Sequence, residues 1–291
     1  MEIKLIALDL DGTTINNDRV ISRRNREALA RAAEMGVNIV IATGRPLSAL
    51  PRDVFEIEAI RYALTSNGAS ITDLKKNETF YENCLSPLAV EKAVELLRQY
   101  DYILEGFVRG EAYIDGDYYR EVKRTGKSFR DVSYILNTRK PVENIFRFLL
   151  DHRKNIENIN VNFEDLSEKP AMREKLLTLP EATITSSFDH NLEIGGATTS
   201  KAEALSRMGQ LLGIEKSRMM AIGDSPNDIA MLKASGFPVA VGNAKEEVKA
   251  VAKYIAPTNH EDGVADAVEK FVLSEAADVS LLHKTTAEGN G

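Results

Sequence analysis

A chain of 291 residues is long enough for two domains, and a hydrophobic fraction of 43% supplies the apolar material for a sizeable core. The formal net charge of −7 excludes a global basic field of the kind that draws proteins to nucleic acid or anionic membranes, so neither is expected as a partner. The single cysteine, Cys84, excludes an internal disulfide framework and suits a reducing compartment. No N-terminal stretch joins a basic segment to a long apolar run, and no window reaches about 18 apolar residues, so a cytoplasmic protein is expected.

The first apolar run, residues 5–10 within LIALDLDGTT, reads as a buried strand with one carboxylate at Asp9 and a second just past it at Asp11. Residues 22–35 read as a helix, with Ser22 as N-cap and Gly36 just beyond its end. Further strands are expected at 37–42 (VNIVIA) and 62–66. After the middle of the chain the rhythm resumes: helix 204–212, strand 219–222, helix 229–234, strand 238–241 and helix 245–251. Short apolar strands alternating with helices indicate a doubly wound parallel sheet covered on both faces.

The middle, about 86–189, breaks this rhythm. It opens with a helix at 87–100 and continues in alternating segments such as YILEGFV and EAYID, which indicate an antiparallel sheet with helices on one face. We expect an inserted α+β domain at 86–189, flanked by the two parts of the α/β core at 1–85 and 190–275. The small, polar tail at 276–291 is expected to be flexible.

In an open α/β sheet ligands bind beyond the carboxyl ends of the strands. Asp11-Gly12-Thr13, Thr43-Gly44-Arg45 and Gly223-Asp224-Ser225-Pro226-Asn227-Asp228 each follow an apolar run. Together they offer oxygen ligands for a hard cation, with hydroxyls, an amide and backbone N–H groups for phosphoryl oxygens. Each piece also has a plainer use. Asp11-Gly12 is a turn signal, and Ser225-Pro226-Asn227-Asp228 is a good helix start in which Asp228 serves equally as capping acid or site residue. Asp9 has no such explanation, because no turn or cap needs an acid inside an apolar run, and an unpaired buried carboxylate is costly. Ser200 and Glu203 form a capping box that puts Lys201 in the first helical turn, where a cation opposes the helix dipole. That costs little at an exposed end, but a fixed ammonium has a clear use beside a phosphate.

In this order, Asp9-x-Asp11-Gly12-Thr13, Thr43-Gly44-Arg45, Lys201 and Gly223-Asp224-Ser225-x-Asn227-Asp228 resemble the four motifs of the haloacid dehalogenase superfamily. The insertion between the second and third motifs resembles a C2-type cap, and ATGR with SNGA (66–69) resembles the Cof-type phosphatases; the likeness spans about 5–272. Thr14 stands where Leu is usual, and Ala202 where Gly is common. The resemblance implies a Rossmann-like core and a phosphatase that hydrolyses small phosphorylated metabolites, with Asp9 as nucleophile and Asp11 as general acid and base. It also implies Mg²⁺ on Asp9, Asp11 (through its carbonyl), Asp224 and Asp228, and phosphate held by Leu10, Thr43, Gly44, Lys201 and Asn227. A phosphomutase of the same superfamily, or a phospho-ligand-binding regulator without catalysis, would share these motifs. Glu105, Arg109 and the nearby tyrosines are candidates for contacting the leaving group, although each tyrosine taken singly reads first as core.

Overall fold

A computed structural model describes residues 2–274; the expectation for 276–291 falls outside the described residues. The strands are β1 (Leu5–Leu8), β2 (Asn38–Ala42), β3 (Ile60–Thr65), β4 (Ser70–Asp73), β5 (Glu78–Glu82), β6 (Ile103–Val108) and β7 (Glu111–Asp115). They continue as β8 (Arg139–Val142), β9 (Ile156–Asn162), β10 (Ala182–Thr185), β11 (Asn191–Gly196), β12 (Met219–Gly223), β13 (Phe237–Ala240) and β14 (Tyr254–Ile255). The described residues form two compact units, one from 2–41, 52–62 and 206–274, the other from 42–51 and 63–205.

In the first unit the strand order is β14-β13-β12-β1-β2-β3. β1 pairs in parallel with both β12 and β2, and β12, β13 and β14 pair in parallel in turn. Such strands are covered on both faces, so they are apolar throughout: LIAL of β1 and MMAIG of β12 are completely buried. From β1 the chain steps one way to β2 and β3, whereas β12, β13 and β14 lie on the other side. The order therefore reverses between β1 and β12, which is where a doubly wound sheet opens a crevice for ligands. The helix Arg23–Glu34 starts as expected, with the Ser22 hydroxyl accepting from Asn25 N–H. Buried Asn25 in turn accepts from Ala265 N–H of the helix Gly263–Val268, which ties the two helices together (2.8 Å).

In the second unit the end of β3 leads into β4, which pairs antiparallel with β5. A separate six-stranded sheet has the order β10-β11-β9-β6-β7-β8, antiparallel except for the β7–β8 pair. One face packs Leu104, Ile159, Val161, Leu192 and Ile194 against the helices Pro87–Leu97, Ile145–Asp151 and Lys169–Leu176. Helices are not confined to that face: Ile114 of β7 packs with Val122 and Ile135, from the helices Gly116–Thr125 and Val132–Thr138. Tyr113, its neighbour in sequence, points to the first face, against Phe148.

The six-stranded sheet also reaches further along the chain than the expected limit at 189. β11 pairs with β9 and β10, so Asn191–Gly196 belongs to this sheet. The polar stretch before it, which reads as a domain joint, is the turn of a hairpin: Phe188 N–H donates to Asn191 Oδ1 and Asn191 N–H to Phe188 O. The chain leaves the sheet after Gly196, where Thr199 Oγ1 donates to Asn83 O (2.7 Å) and Asn83 Nδ2 to Thr198 Oγ1 (3.0 Å), so the exit lies beside the entry.

Candidate active site

The register Leu8↔Ile222 brings the ends of β1 and β12 side by side, and Asp9 N–H continues the ladder to Ile222 O. Beyond β1 the chain turns sharply. Thr14 Oγ1 donates to Asp9 O (2.5 Å), and Thr14 and Ile15 N–H both donate to Leu10 O. At the turn Gly12 has φ +82°, and a Cβ there would stand 2.7 Å from Asp224 Oδ2, so both the conformation and the space call for glycine. Asn243 Nδ2 holds the Gly12 carbonyl (2.8 Å), and Asn259 holds Asn243 through its N–H and Ile15 O through its side chain.

Beyond β12, Asp224 accepts from Thr13 Oγ1 (2.8 Å) and Ser225 Oγ (3.0 Å). Asp228, fully buried, accepts from Asp224 N–H and Ser225 N–H with one oxygen, Oδ2 (3.1 Å each), within a capping box. Carboxylate oxygens of Asp9, Asp224 and Asp228 also lie within 4.8 Å of one another. Asp228 is therefore both cap and member of the cluster. Burial first, then the charge of Asp228, holds Asp224 above the ordinary carboxylate value against the pull of the Thr13 and Ser225 hydroxyls. Three closely set acids, two of them buried, repel one another unless a cation sits among them. An all-oxygen set of this kind suits a hard divalent ion. Asp11 is half-buried in the turn, and its carboxylate is not one of the trio. Asn227 is half-buried in the first turn after β12.

Thr43, Gly44 and Lys201 belong to the second unit. Thr43 is buried at the end of β2; its N–H donates to Leu64 O, and its hydroxyl accepts from Arg45 N–H (3.2 Å). A Cβ on Gly44 would meet Ser187 Oγ at 2.9 Å and Asn67 Oδ1 and Glu193 Oε1 at 3.2 Å, so polar atoms close tightly around this glycine. Asn67 N–H donates to Thr43 O, and Ser66 N–H to Arg45 O, which fixes the SNGA turn onto the Thr43–Arg45 segment. Lys201 begins the helix Lys201–Leu212 and is only 1% exposed, so it is not a solvated surface cation. Its charge acts on Glu193, a buried acid pushed up by burial and pulled down by hydrogen bonds from Ser187 and Asn67 and by Lys201.

Sequence reasoning missed Asn243, Asn259, Ser187 and Glu193. Asn243 carried a signal, since VGNA also follows an apolar strand. Glu105, a candidate for leaving-group contact, is instead enclosed, bonded to Arg139 by both oxygens (2.5 and 3.1 Å) and to Asn160 Nδ2. Arg109 is exposed at the β6–β7 turn with φ +49°.

Residues 6–268 match the family model of haloacid dehalogenase-like hydrolases. The chain belongs to this family. It is 34% identical to the 5-amino-6-(5-phospho-D-ribitylamino)uracil phosphatase YcsE of Bacillus subtilis, with 94% of this chain and 97% of that one covered. It is 27% identical to the pyridoxal phosphate phosphatase YbhA of Escherichia coli, over 94% and 100% of the two chains. The solved structure of a haloacid dehalogenase-like hydrolase from B. subtilis superposes with a TM-score of 0.80 at 28% identity, over 93% of this chain and all of that one. The protein is thus a phosphatase of the haloacid dehalogenase type, with the Rossmann-like α/β core and inserted α+β module of that fold. No helix among the described residues is long and apolar enough to cross a membrane.

Proposed function

We propose that this enzyme is a cytoplasmic, magnesium-dependent phosphatase that hydrolyses small phosphorylated metabolites through an aspartyl-phosphate on Asp9. The observation that carries this reading is the trio of Asp9, Asp224 and Asp228, set within 4.8 Å at the switch point of a parallel sheet, with Asp11 two residues from Asp9.

Asp9 would attack phosphorus through a carboxylate oxygen, and the bond to the leaving oxygen would break as the new one forms. Asp11 would give its proton to the departing alkoxide and then take one from the water that hydrolyses the acyl phosphate. Magnesium on Asp9, Asp224, Asp228 and the Asp11 carbonyl would supply the positive charge that lets a carboxylate approach a phosphate dianion. The N–H groups of Leu10 and Gly44, the Thr43 hydroxyl, the Asn227 amide and the Lys201 ammonium are assigned to the transferring oxygens, because phosphoryl transfer depends mainly on positioning and charge stabilisation. Gly44 suits this role, since any side chain there would displace Ser187, Asn67 or Glu193. The six-stranded module is assigned to the leaving group, with its limits at about 85 and 196.

The two relatives act, by name, on different phosphate esters, which supports a small metabolite as substrate while leaving its identity to this chain's own module. The test is a panel of phosphorylated metabolites and p-nitrophenyl phosphate, assayed with and without EDTA. Hydrolysis that EDTA abolishes and Mg²⁺ restores is the expected result; EDTA-insensitive turnover would contradict the metal assignment.

A further inference from the structure

Three guanidiniums surround one ring in the second unit. Arg130, Arg139 and Arg45 lie 4.5, 4.6 and 5.1 Å from the centroid of Tyr134. Two of them have polar partners. Arg139 forms a two-pronged pair with Glu105 and also reaches Thr138 Oγ1, and Arg45 Nη1 donates to Ala49 O (2.9 Å). Arg130 differs. Its guanidinium lies against two aromatic rings, Tyr134 on one side and Phe188 at 4.4 Å, and none of its side-chain N–H groups meets an acceptor among the described residues.

The surroundings explain why such a group would be kept. Arg130 is near enough to act on the carboxyls of Glu105 and Glu193, yet it bonds to neither, because Glu105 is taken by Arg139 and Asn160 and Glu193 by Ser187 (2.6 Å) and Asn67. Arg45, Arg130 and Arg139 thus gather three guanidiniums around Tyr134, near the carboxyls of Glu105 and Glu193. Contact with two rings restrains the guanidinium, so less side-chain freedom is lost when it engages a ligand. A half-buried fork of donors, held between side chains and met by no acceptor among the described residues, fits a planar or tetrahedral oxyanion. The adjoining Ser187 and Glu193 close around Gly44, which connects this cluster to the segment assigned to phosphate.

We propose that Arg130, walled by Tyr134 and Phe188, is a specificity residue that selects phosphate esters whose leaving group carries a second oxyanion, a carboxylate or another phosphate. The proposal deepens the function given above and rests on it. The experiment compares kcat/KM within matched pairs: 3-phosphoglycerate with glycerol 3-phosphate, 6-phosphogluconate with glucose 6-phosphate, and fructose 1,6-bisphosphate with fructose 6-phosphate. The first two pairs probe a carboxylate and the third a phosphate. Wild-type enzyme should prefer the anionic member of at least one pair. Arg130→Gln should lower that preference about 10- to 100-fold, mainly through KM, as expected for loss of a charge-assisted two-pronged bond, and Arg130→Lys should restore part of it. Circular dichroism establishes that each variant is folded. If the wild type shows no anionic preference in any pair, or Arg130→Gln leaves the preference unchanged, the subsite is overturned. Failure of the wild type to hydrolyse any ester, p-nitrophenyl phosphate included, would overturn the proposed function and the subsite with it.

Discussion

In the parallel sheet, β1 and β12 are apolar along both faces and hold their carboxylates only past the carboxyl ends, at Asp9 and Asp224. In the six-stranded sheet, β6, β9 and β11 alternate, and the polar set Glu105, Asn160, Asn191 and Glu193 is as deeply buried as the apolar set opposite it. Acids of the first kind gather with Asp228 into one cluster at the strand ends, where like charges repel. Acids of the second kind are buried with partners: Asn191 bonds to Asn160, Asn160 to Glu105 and Glu105 to Arg139, while Ser187 and Asn67 bond to Glu193. The same residue type should therefore govern activity in one sheet and stability in the other.

Substitutions can break or sharpen that contrast. The largest effect belongs to Asp9→Asn, which should lower kcat by more than about 1,000-fold. In the metal-free protein its unfolding midpoint should stay level or rise, because one of three repelling charges is gone. Next comes Glu105→Leu, which strands a buried guanidinium and should destabilise by about 3–5 kcal/mol in denaturant unfolding. Glu105→Leu with Arg139→Leu should cost less than either single change, since no charge is then left unpaired. Burial raises the Glu105 carboxyl, but the charge and hydrogen bonds of Arg139 outweigh it and hold the group below its ordinary value. The stability from this pair is therefore present at neutral pH and lost as pH falls through the lowered value. Asp224→Asn should raise the Mg²⁺ concentration needed for half-maximal activity about 10- to 100-fold, and it should blunt the rise in melting temperature that Mg²⁺ gives the wild type. Asn243→Ala, which removes the donor to the Gly12 carbonyl, is the smallest, at about 1 kcal/mol in unfolding.

The parallel core was legible because fully buried strands read as unbroken apolar runs, and because Ser22 and Gly36 mark the helix between the first two. The acids were legible because Asp9 and Asp224 have no plainer use in or after such runs. Other features depend on contacts that no local pattern encodes. Lys201 reads as a first-turn cation of unknown exposure, and only packing makes it a buried one. The stretch before Asn191 has the polar composition of a joint, yet hydrogen bonds between Phe188 and Asn191 make it a hairpin turn. Alternation in β9 announces two faces, and ordinarily the polar one meets water; here Asn160 is buried and bonded to Glu105 and Asn191 instead.

The assignment of different tasks to Asp9 and Asp11 is tested most directly by labelling. Asp11→Asn would be mixed with p-nitrophenyl phosphate carrying ³²P, quenched in acid within one turnover, digested and mapped. Nitrophenolate needs no proton to leave, so the label should accumulate on the peptide containing Asp9, and Asp9→Asn should take up none. A burst of nitrophenol from Asp11→Asn with no covalent label, or a label on any other residue, would contradict the account.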